Sequence, residues 1–323
     1  MTKPGYSLRL DPWSAEYGGS LQADDEPPPP EVDTRVEAAA WEAIRPAAAP
    51  RPRRIAFVDG VRRIEHRLLV SQDERTIFGL LGSFGVGAVV VVAESARVAY
   101  EAIGRVAITG GGLKIDRFVA PVGCSGARVV FEPSSEAENT FVAPLDGLQK
   151  AMRQHEAGLA ERLSAEADVV FQDGPLGFLT AAAPGSVVGF VKTLQRQYLD
   201  AAAHGLLPRL GVGARTPLFL IPGRESRYSW YLRIAFGRAI ESPLTGIVRL
   251  EVPASRGLDE ARTLADLSAR EIPRFASDAT RDPRAPQNLH PIGGLEARLK
   301  HLLGDPLVVR RAVEAQIHRE VSA

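Results

Sequence analysis

The chain has 323 residues, 45% hydrophobic and 24% charged, enough to bury the core of one large domain or two moderate ones and too apolar for a fibrous or disordered protein. Lys plus Arg equal Asp plus Glu at 39 each, so net charge gives no argument for nucleic acid, although cations lining one channel can still bind a phosphate backbone. No apolar run is long enough to span a bilayer, the opening MTKPGYSLRLDPWSAEYGG lacks the regions of a signal peptide, and the single Cys124 cannot form an internal disulfide, so a cytoplasmic chain without membrane contact is expected.

Residues 1 to about 34 are polar and include Asp24-Asp25-Glu26 and four prolines at 27–30, which reads as an extended arm. A short helix is expected at 34–44 with Trp41 on its apolar side, so that an arm and helix at 1–50 precede a main domain at 51–323. A strand then runs from Ile55 to Asp59 and is expected to stop at Gly60. The chain continues through strand-like residues at 62–70, a Gly-studded turn at 82–87 and a Val-rich strand at 88–93, and short connections between such neighbours imply an antiparallel meander. Neither the glycines at 82–87 nor Gly110-Gly111-Gly112-Leu113-Lys114 have the spacing of a phosphate loop, which excludes the common nucleotide-binding motifs. Short strand candidates at 105–109, 115–120 and 127–132 make 95–147 a β-rich insertion.

The clearest helix runs from 148 to about 167, where Leu148, Met152, Leu159, Ala160 and Leu163 recur at intervals of three, four and seven. Glu156 falls on that same face. A carboxylate there reaches out from the edge of the stripe, pairs with a neighbour such as Arg153, or points towards the end of the strand that follows. That strand, 169–173, delivers Asp173 and stops at Gly174-Pro175. It repeats the construction around Asp59, and an ordinary turn is the alternative for either copy. A strand at 187–193 carries Lys192, a helix is expected at 194–203, strands at 217–221, 229–236 and 247–252, and helices at 258–270, 294–303 and 307–320. Arg51, Arg53, Arg54, Arg62, Arg63 and Arg67 bracket Asp59, and Arg224, Arg227, Arg233 and Arg238 crowd a second segment. Each cluster is either a solvated face or a guide for phosphates.

In order, a strand with Asp59, a meander, a helix with Glu156 and a strand with Asp173 resemble the ribonuclease H-like fold. That is an α/β fold whose mixed sheet has an antiparallel meander flanked by helices, here with added β elements and C-terminal helices. Carboxylate oxygens suit Mg²⁺ or Mn²⁺, and two such ions about 3.5–4 Å apart can stabilise both the attacking and leaving oxygens of phosphodiester hydrolysis. Within that fold, IAFVDGVRRIEHRLL at 55–69, MRQHE at 152–156, ADVVFQDGPL at 167–176, VVGFVKT at 187–193 and DPRAPQNLHPIGGLEARL at 282–299 resemble the NurA family of nucleases, over about 50–305. The resemblance implies metal-binding roles for Asp59, Glu156 and Asp173 with Mn²⁺ or Mg²⁺, and phosphate contact for Lys192, for which an exposed strand-end lysine is the alternative. It also implies an exonuclease, or endonuclease on single strands, acting as a homodimer with a HerA-type hexameric ATPase in DNA end repair or defence. The arginines beside Asp59, Arg62 and Arg63 among them, would guide the DNA. NurA proteins usually carry Tyr-Pro and then Ala-His near the C-terminus, whereas here Ala285 takes the Tyr position and Gly293 the His position, leaving His290, or His301, as the nearest imidazole. The rivals are a non-catalytic DNA clamp or scaffold of the same fold, and an RNase H or resolvase-like endonuclease.

Overall fold

The computed structural model describes residues 30–72, 75–123, 126–179, 185–194, 196–280 and 282–322; the expected arm at 1–29 and Cys124 lie outside them. In chain order the elements are β1 (Arg54–Gln72), β2 (Arg75–Val92), β3 (Ser95–Thr109), β4 (Phe118–Pro121), β5 (Arg128–Ser135), α1 (Ala143–Ser164), β6 (Val169–Asp173), β7 (Val187–Val191), α2 (Ala201–His204), β8 (Phe219–Ile221), β9 (Arg227–Arg233), β10 (Ile247–Pro253), α3 (Leu258–Glu271), α4 (His290–Leu302) and α5 (Pro306–Ser322). They form two compact units, one of the described residues through Phe57 with Glu161–Gly293, the other of Val58–Ala160 with Gly294–Ala323. Among the described residues no helix is long and apolar enough to cross a membrane.

In the unit that holds most of β1, hydrogen-bonded strands follow the order β4-β5-β3-β2-β1. β2 and β3 are antiparallel from Gly79↔Thr109 to Val92↔Ser95, β5 runs parallel to β3, and β4 is antiparallel to β5. Two sequence expectations are corrected here. β1 does not stop at Gly60 but continues to Gln72, and the glycines at 82–87 are not a turn but lie inside β2. Their lack of side chains makes room for helices: a Cβ at Gly82 would come within 2.7 Å of Leu148 on α1, and one at Gly87 within 2.9 Å of Leu295 on α4. Further along the sheet, Val309, Ala312 and Val313 of α5 pack with Leu81, Ala107, Ala120, Val129 and Phe131 into one apolar cluster. The expected insertion is therefore a sheet extension with its own helical cover.

The other unit has the order β1-β6-β7-β10-β9-β8, with the first residues of β1 at its edge. β6 and β7 are parallel, pairing Val170↔Val187 through Asp173↔Phe190, while β10 runs antiparallel to both β7 and β9. Val169, Val170, Phe171, Val188 and Phe190 are all buried, which is why these strands read as continuous apolar runs and not as alternating ones. Phe57 stacks on Phe171 with ring centroids 5.7 Å apart and meets Phe275 edge-on at 4.9 Å. The mixed α/β sheet flanked by helices that the sequence implies is thus present, and its parallel pair ends at Asp173.

The helix expected at 34–44 does not form. The segment is a run of turns and bends between two isolated bridges, Asp33 to Leu220 and Ile44 to Arg215. Asp33 Oδ1 accepts locally from the Arg35 amide, and tertiary partners claim the rest: Glu37 pairs with Arg215 at 2.8 Å, and Trp41 Nε1 donates to the Ala203 carbonyl. Of the helix expected at 194–203, the described residues keep only α2, which starts late because the Asp200 side chain caps it at the Ala203 amide.

Candidate functional site

Glu156 lies on the buried stripe of α1 with Leu148, Met152, Leu159 and Ala160, and it is fully buried itself. Its Oε2 accepts from Arg153 one turn earlier at 3.0 Å. Of the alternatives left by the sequence, pairing with Arg153 therefore holds, and the side chain does not reach out from the edge of the stripe. Burial of an unpaired carboxylate would cost several kcal/mol, so the guanidinium offsets much of that cost. Gly60 of β1 is what admits this side chain, since a Cβ there would run into Glu156 Oε1 and sit 2.9 Å from Met152 Cγ. Asp59, the preceding residue, is 3% exposed. The Asp59-Gly60 pair is thus a place where a strand yields to a helix carboxylate, and the turn alternative fails for this copy.

The neighbouring cations divide by role. Arg62 donates to Gln149 Oε1 at 2.5 Å, and burial lowers its pKa, with Asp146 opposing and Arg153 reinforcing the shift. Arg63 is engaged inside the unit, bound to Glu65 and to the carbonyls of Leu303 and Gly304 just past α4. His66 lies 3.9 Å from Glu314, and Arg67 stacks its guanidinium 3.8 Å over the Phe141 ring.

Asp173 closes β6, and Gly174 follows with φ 88°, a backbone setting that glycine alone adopts cheaply. Three contacts hold this turn. The Gly174 amide donates to the Phe190 carbonyl at 2.8 Å, the Leu176 amide donates to Glu251 Oε1 at 2.8 Å, and Lys192 Nζ reaches Asp173 Oδ2 at 2.8 Å. Lys192 stands just beyond β7 and is 4% exposed, so it is a buried ion-pair partner and not the solvent-facing strand-end lysine of the alternative reading. Asp173 pairs with Phe190 in the ladder, and Lys192 two residues on shares that face. Glu251 pairs with Gly189 and so stands on the opposite face, bound by Arg249 and Arg227. Burial pushes the Glu251 carboxyl up, but the two guanidinium groups and the Leu176 amide outweigh it and hold its pKa below the ordinary Glu value.

Lys192 has a second acceptor that sequence reasoning missed. Asn288 Oδ1 lies 2.7 Å from Nζ, and Asn288 Nδ2 donates to Asp282 Oδ2 at 2.5 Å. Burial raises the Asp282 pKa, but hydrogen bonds from Asn288 and Arg284 prevail and keep it below the usual Asp range. An Asn inside Pro-Gln-Asn-Leu carries no signal in sequence beyond its burial, which only the fold reveals. Glu251 was legible in principle, because Arg249 and Glu251 interrupt the Val-rich β10 at a spacing of two and so share a face. His290 is exposed at the first position of α4, and His301 is exposed near its end.

The crowd of arginines at 224–238 is resolved as well. Arg233 is buried and donates to the carbonyls of Leu210, Thr245, Leu207, Pro208 and Pro243, and Arg227 serves Glu251. Both are structural cations. Among the described residues, no group of three or more His, Cys, Asp or Glu side chains stands arranged to hold a metal ion. The donors at Asp59, Glu156 and Asp173 are nonetheless all hard carboxylate oxygens, the type that suits Mg²⁺ or Mn²⁺. Gly60 keeps one of them in place by leaving the space a Cβ would fill.

The chain is similar, at low identity, to solved structures of nucleases, a NurA nuclease among them. The structure of the Sulfolobus solfataricus protein has 10% identity and a TM-score of 0.46, with 87% of each chain covered. The endonuclease V of Bacillus subtilis has 17% identity and a TM-score of 0.37, over 78% of this chain and 82% of that one. The catalytic domain of human endonuclease V has 17% identity and a TM-score of 0.32, over 76% of this chain and 82% of that one. No protein-family model matches the chain, and no curated protein matches it in sequence.

Proposed function

We propose that this protein is a divalent-metal-dependent deoxyribonuclease that hydrolyses phosphodiester bonds of single-stranded DNA or DNA ends. The observation that carries the reading is the fully buried Glu156 carboxylate, lodged against Gly60 and next along β1 to the buried Asp59. A core carboxylate costs stability unless it has a task or a strong partner, and the strand has given up a side chain to admit this one. Asp59, Glu156 and Asp173 would hold Mn²⁺ or Mg²⁺. Such an ion, when bound, supplies Lewis acidity and makes a bound water easier to deprotonate. Lys192 neutralises Asp173 and keeps it oriented, and Arg62, less committed than Arg63, would meet the phosphate backbone. His290 would provide the imidazole that the usual C-terminal motif supplies elsewhere.

We further propose a cytoplasmic homodimer that works with a HerA-type hexameric translocase in DNA end processing or defence. What supports this is the sequence resemblance together with the lack of a phosphate loop, since processive movement along DNA then requires an ATPase partner. The test is cleavage of a labelled single-stranded oligonucleotide, alone and with the ATPase, in Mn²⁺ and Mg²⁺. Asp173→Asn should abolish cleavage while leaving the fold and ATPase binding intact. A wild type that leaves DNA uncut in both metals, with or without the ATPase, contradicts the enzyme and favours the DNA clamp or scaffold.

A further inference from the structure

Asn288 is one of the few wholly buried polar side chains, and its amide is read at both ends. The ammonium of Lys192 cannot accept a hydrogen bond and an ionised Asp282 cannot donate one, so the carbonyl end must face Lys192 and the NH₂ end must face Asp282. The observed 2.7 Å and 2.5 Å contacts fit that single orientation. Asp282 is itself fixed: Oδ1 accepts from the Arg284 amide at 2.8 Å and from Arg284 Nε at 3.2 Å. The result is a chain of alternating polarity, Arg284–Asp282–Asn288–Lys192–Asp173, within one compact unit.

We infer that Asn288 is a positioning residue: through its carbonyl it aims the Lys192 ammonium at Asp173 Oδ2, and Asp282 locks the amide in the orientation this requires. The inference deepens the nuclease reading and rests on it for its effect on rate. Lys has four rotatable bonds and three donors, so each fixed acceptor narrows the freedom of a buried ammonium. An Asp at 288 would still offer oxygen to Lys192 but would set a carboxylate against Asp282. A Leu or Ala would take away the acceptor that Asn288 supplies. The amide is therefore the side chain that satisfies both neighbours.

Two readouts test this. In the first, Lys192 of the metal-free protein is labelled with an amine-acylating reagent and quantified by mass spectrometry. Labelling should be slow in wild type and several-fold faster in Asn288→Ala, and equal rates in the two would overturn the inference. This readout needs no catalysis, so a wild type that fails to cut DNA sinks the nuclease reading without touching the contact. In the second, kcat and KM are measured on a single-stranded oligonucleotide at saturating Mn²⁺. Asn288→Ala should lower kcat on the order of tenfold with KM for DNA unchanged, and should add nothing further in a Lys192→Ala background. An unchanged kcat, or fully additive losses in the double variant, would contradict action through Lys192. If Asn288→Ala does not fold, the isosteric Asn288→Asp decides: a several-fold lower kcat in a variant shown to be folded is expected, and wild-type kcat would refute the role.

Discussion

A side chain at position 60 has nowhere to go, because Glu156 Oε1 and Met152 occupy its place. Gly60→Ala should therefore cost about 1–3 kcal/mol by overpacking and, by displacing Glu156, lower cleavage as well. Urea unfolding gives the first quantity and the oligonucleotide assay the second, and a variant as stable and active as wild type would show that the carboxylate does not depend on this fit. Gly174 differs in kind, since its restriction is a φ of 88° and not a close neighbour. Both glycines follow an Asp, and the sequence offered the same two readings for each, a strand end that delivers an acid or an ordinary turn. Only at the second does the strand end. For the first, the needed information was which residue of α1 lies opposite, a tertiary fact that the Asp-Gly dipeptide does not encode.

At the level of elements, acid should loosen the unit formed by β6, β7, β10 and their neighbours. Glu251, Asp282 and Glu37 all have pKa values below those of the unfolded chain, each because cationic or amide partners outweigh burial. Groups with depressed folded values contribute stability in full above their unfolded values, near pH 4, and lose it as pH falls through the folded ones. Wild-type stability should thus decline below about pH 4.5, and Glu251→Gln should show a shallower decline in denaturant titrations across that range. A variant with the same slope would mean that Glu251 does not carry the effect. Arg215 offers a second test, since it ties Glu37 of the 30–50 segment to Asp266 of α3. Arg215→Ala should raise amide hydrogen exchange in that segment several-fold, whereas unchanged exchange would mean the bridges to Leu220 and Arg215 suffice.

Periodicity made most of these elements legible. The α1 stripe, the apolar runs of β6 and β7, and the terminal helices follow from spacing alone, because burial on one face or two leaves a regular record. What periodicity could not show was competition for side chains. The 34–44 segment has a helical look, yet Glu37 and Trp41 gain more from Arg215 and Ala203 than from a helix of their own. The glycines of β2 and the buried Lys192–Asn288 contact were hidden for the same reason, since each depends on an approach between residues far apart in the chain.

For the whole molecule, the account joins a mixed sheet with inserted and C-terminal elements to metal-dependent DNA hydrolysis. Light scattering on the purified protein should give twice the chain mass, and mixing with a HerA-type ATPase should give a co-eluting complex; a monomer that ignores the ATPase would remove the proposed assembly while leaving the chemistry open to test. The central claim is that Asp59, Glu156 and Asp173 together support metal-dependent cleavage. The direct measurement is the Mn²⁺-titrated cleavage rate of a 5′-labelled single-stranded oligonucleotide by wild type, Asp59→Asn, Glu156→Gln and Asp173→Asn, all shown to be folded. The account predicts cleavage by wild type that rises with Mn²⁺ and a loss of about a hundredfold or more in each variant. Uncut DNA with wild type, or wild-type rates in the three variants, would contradict it.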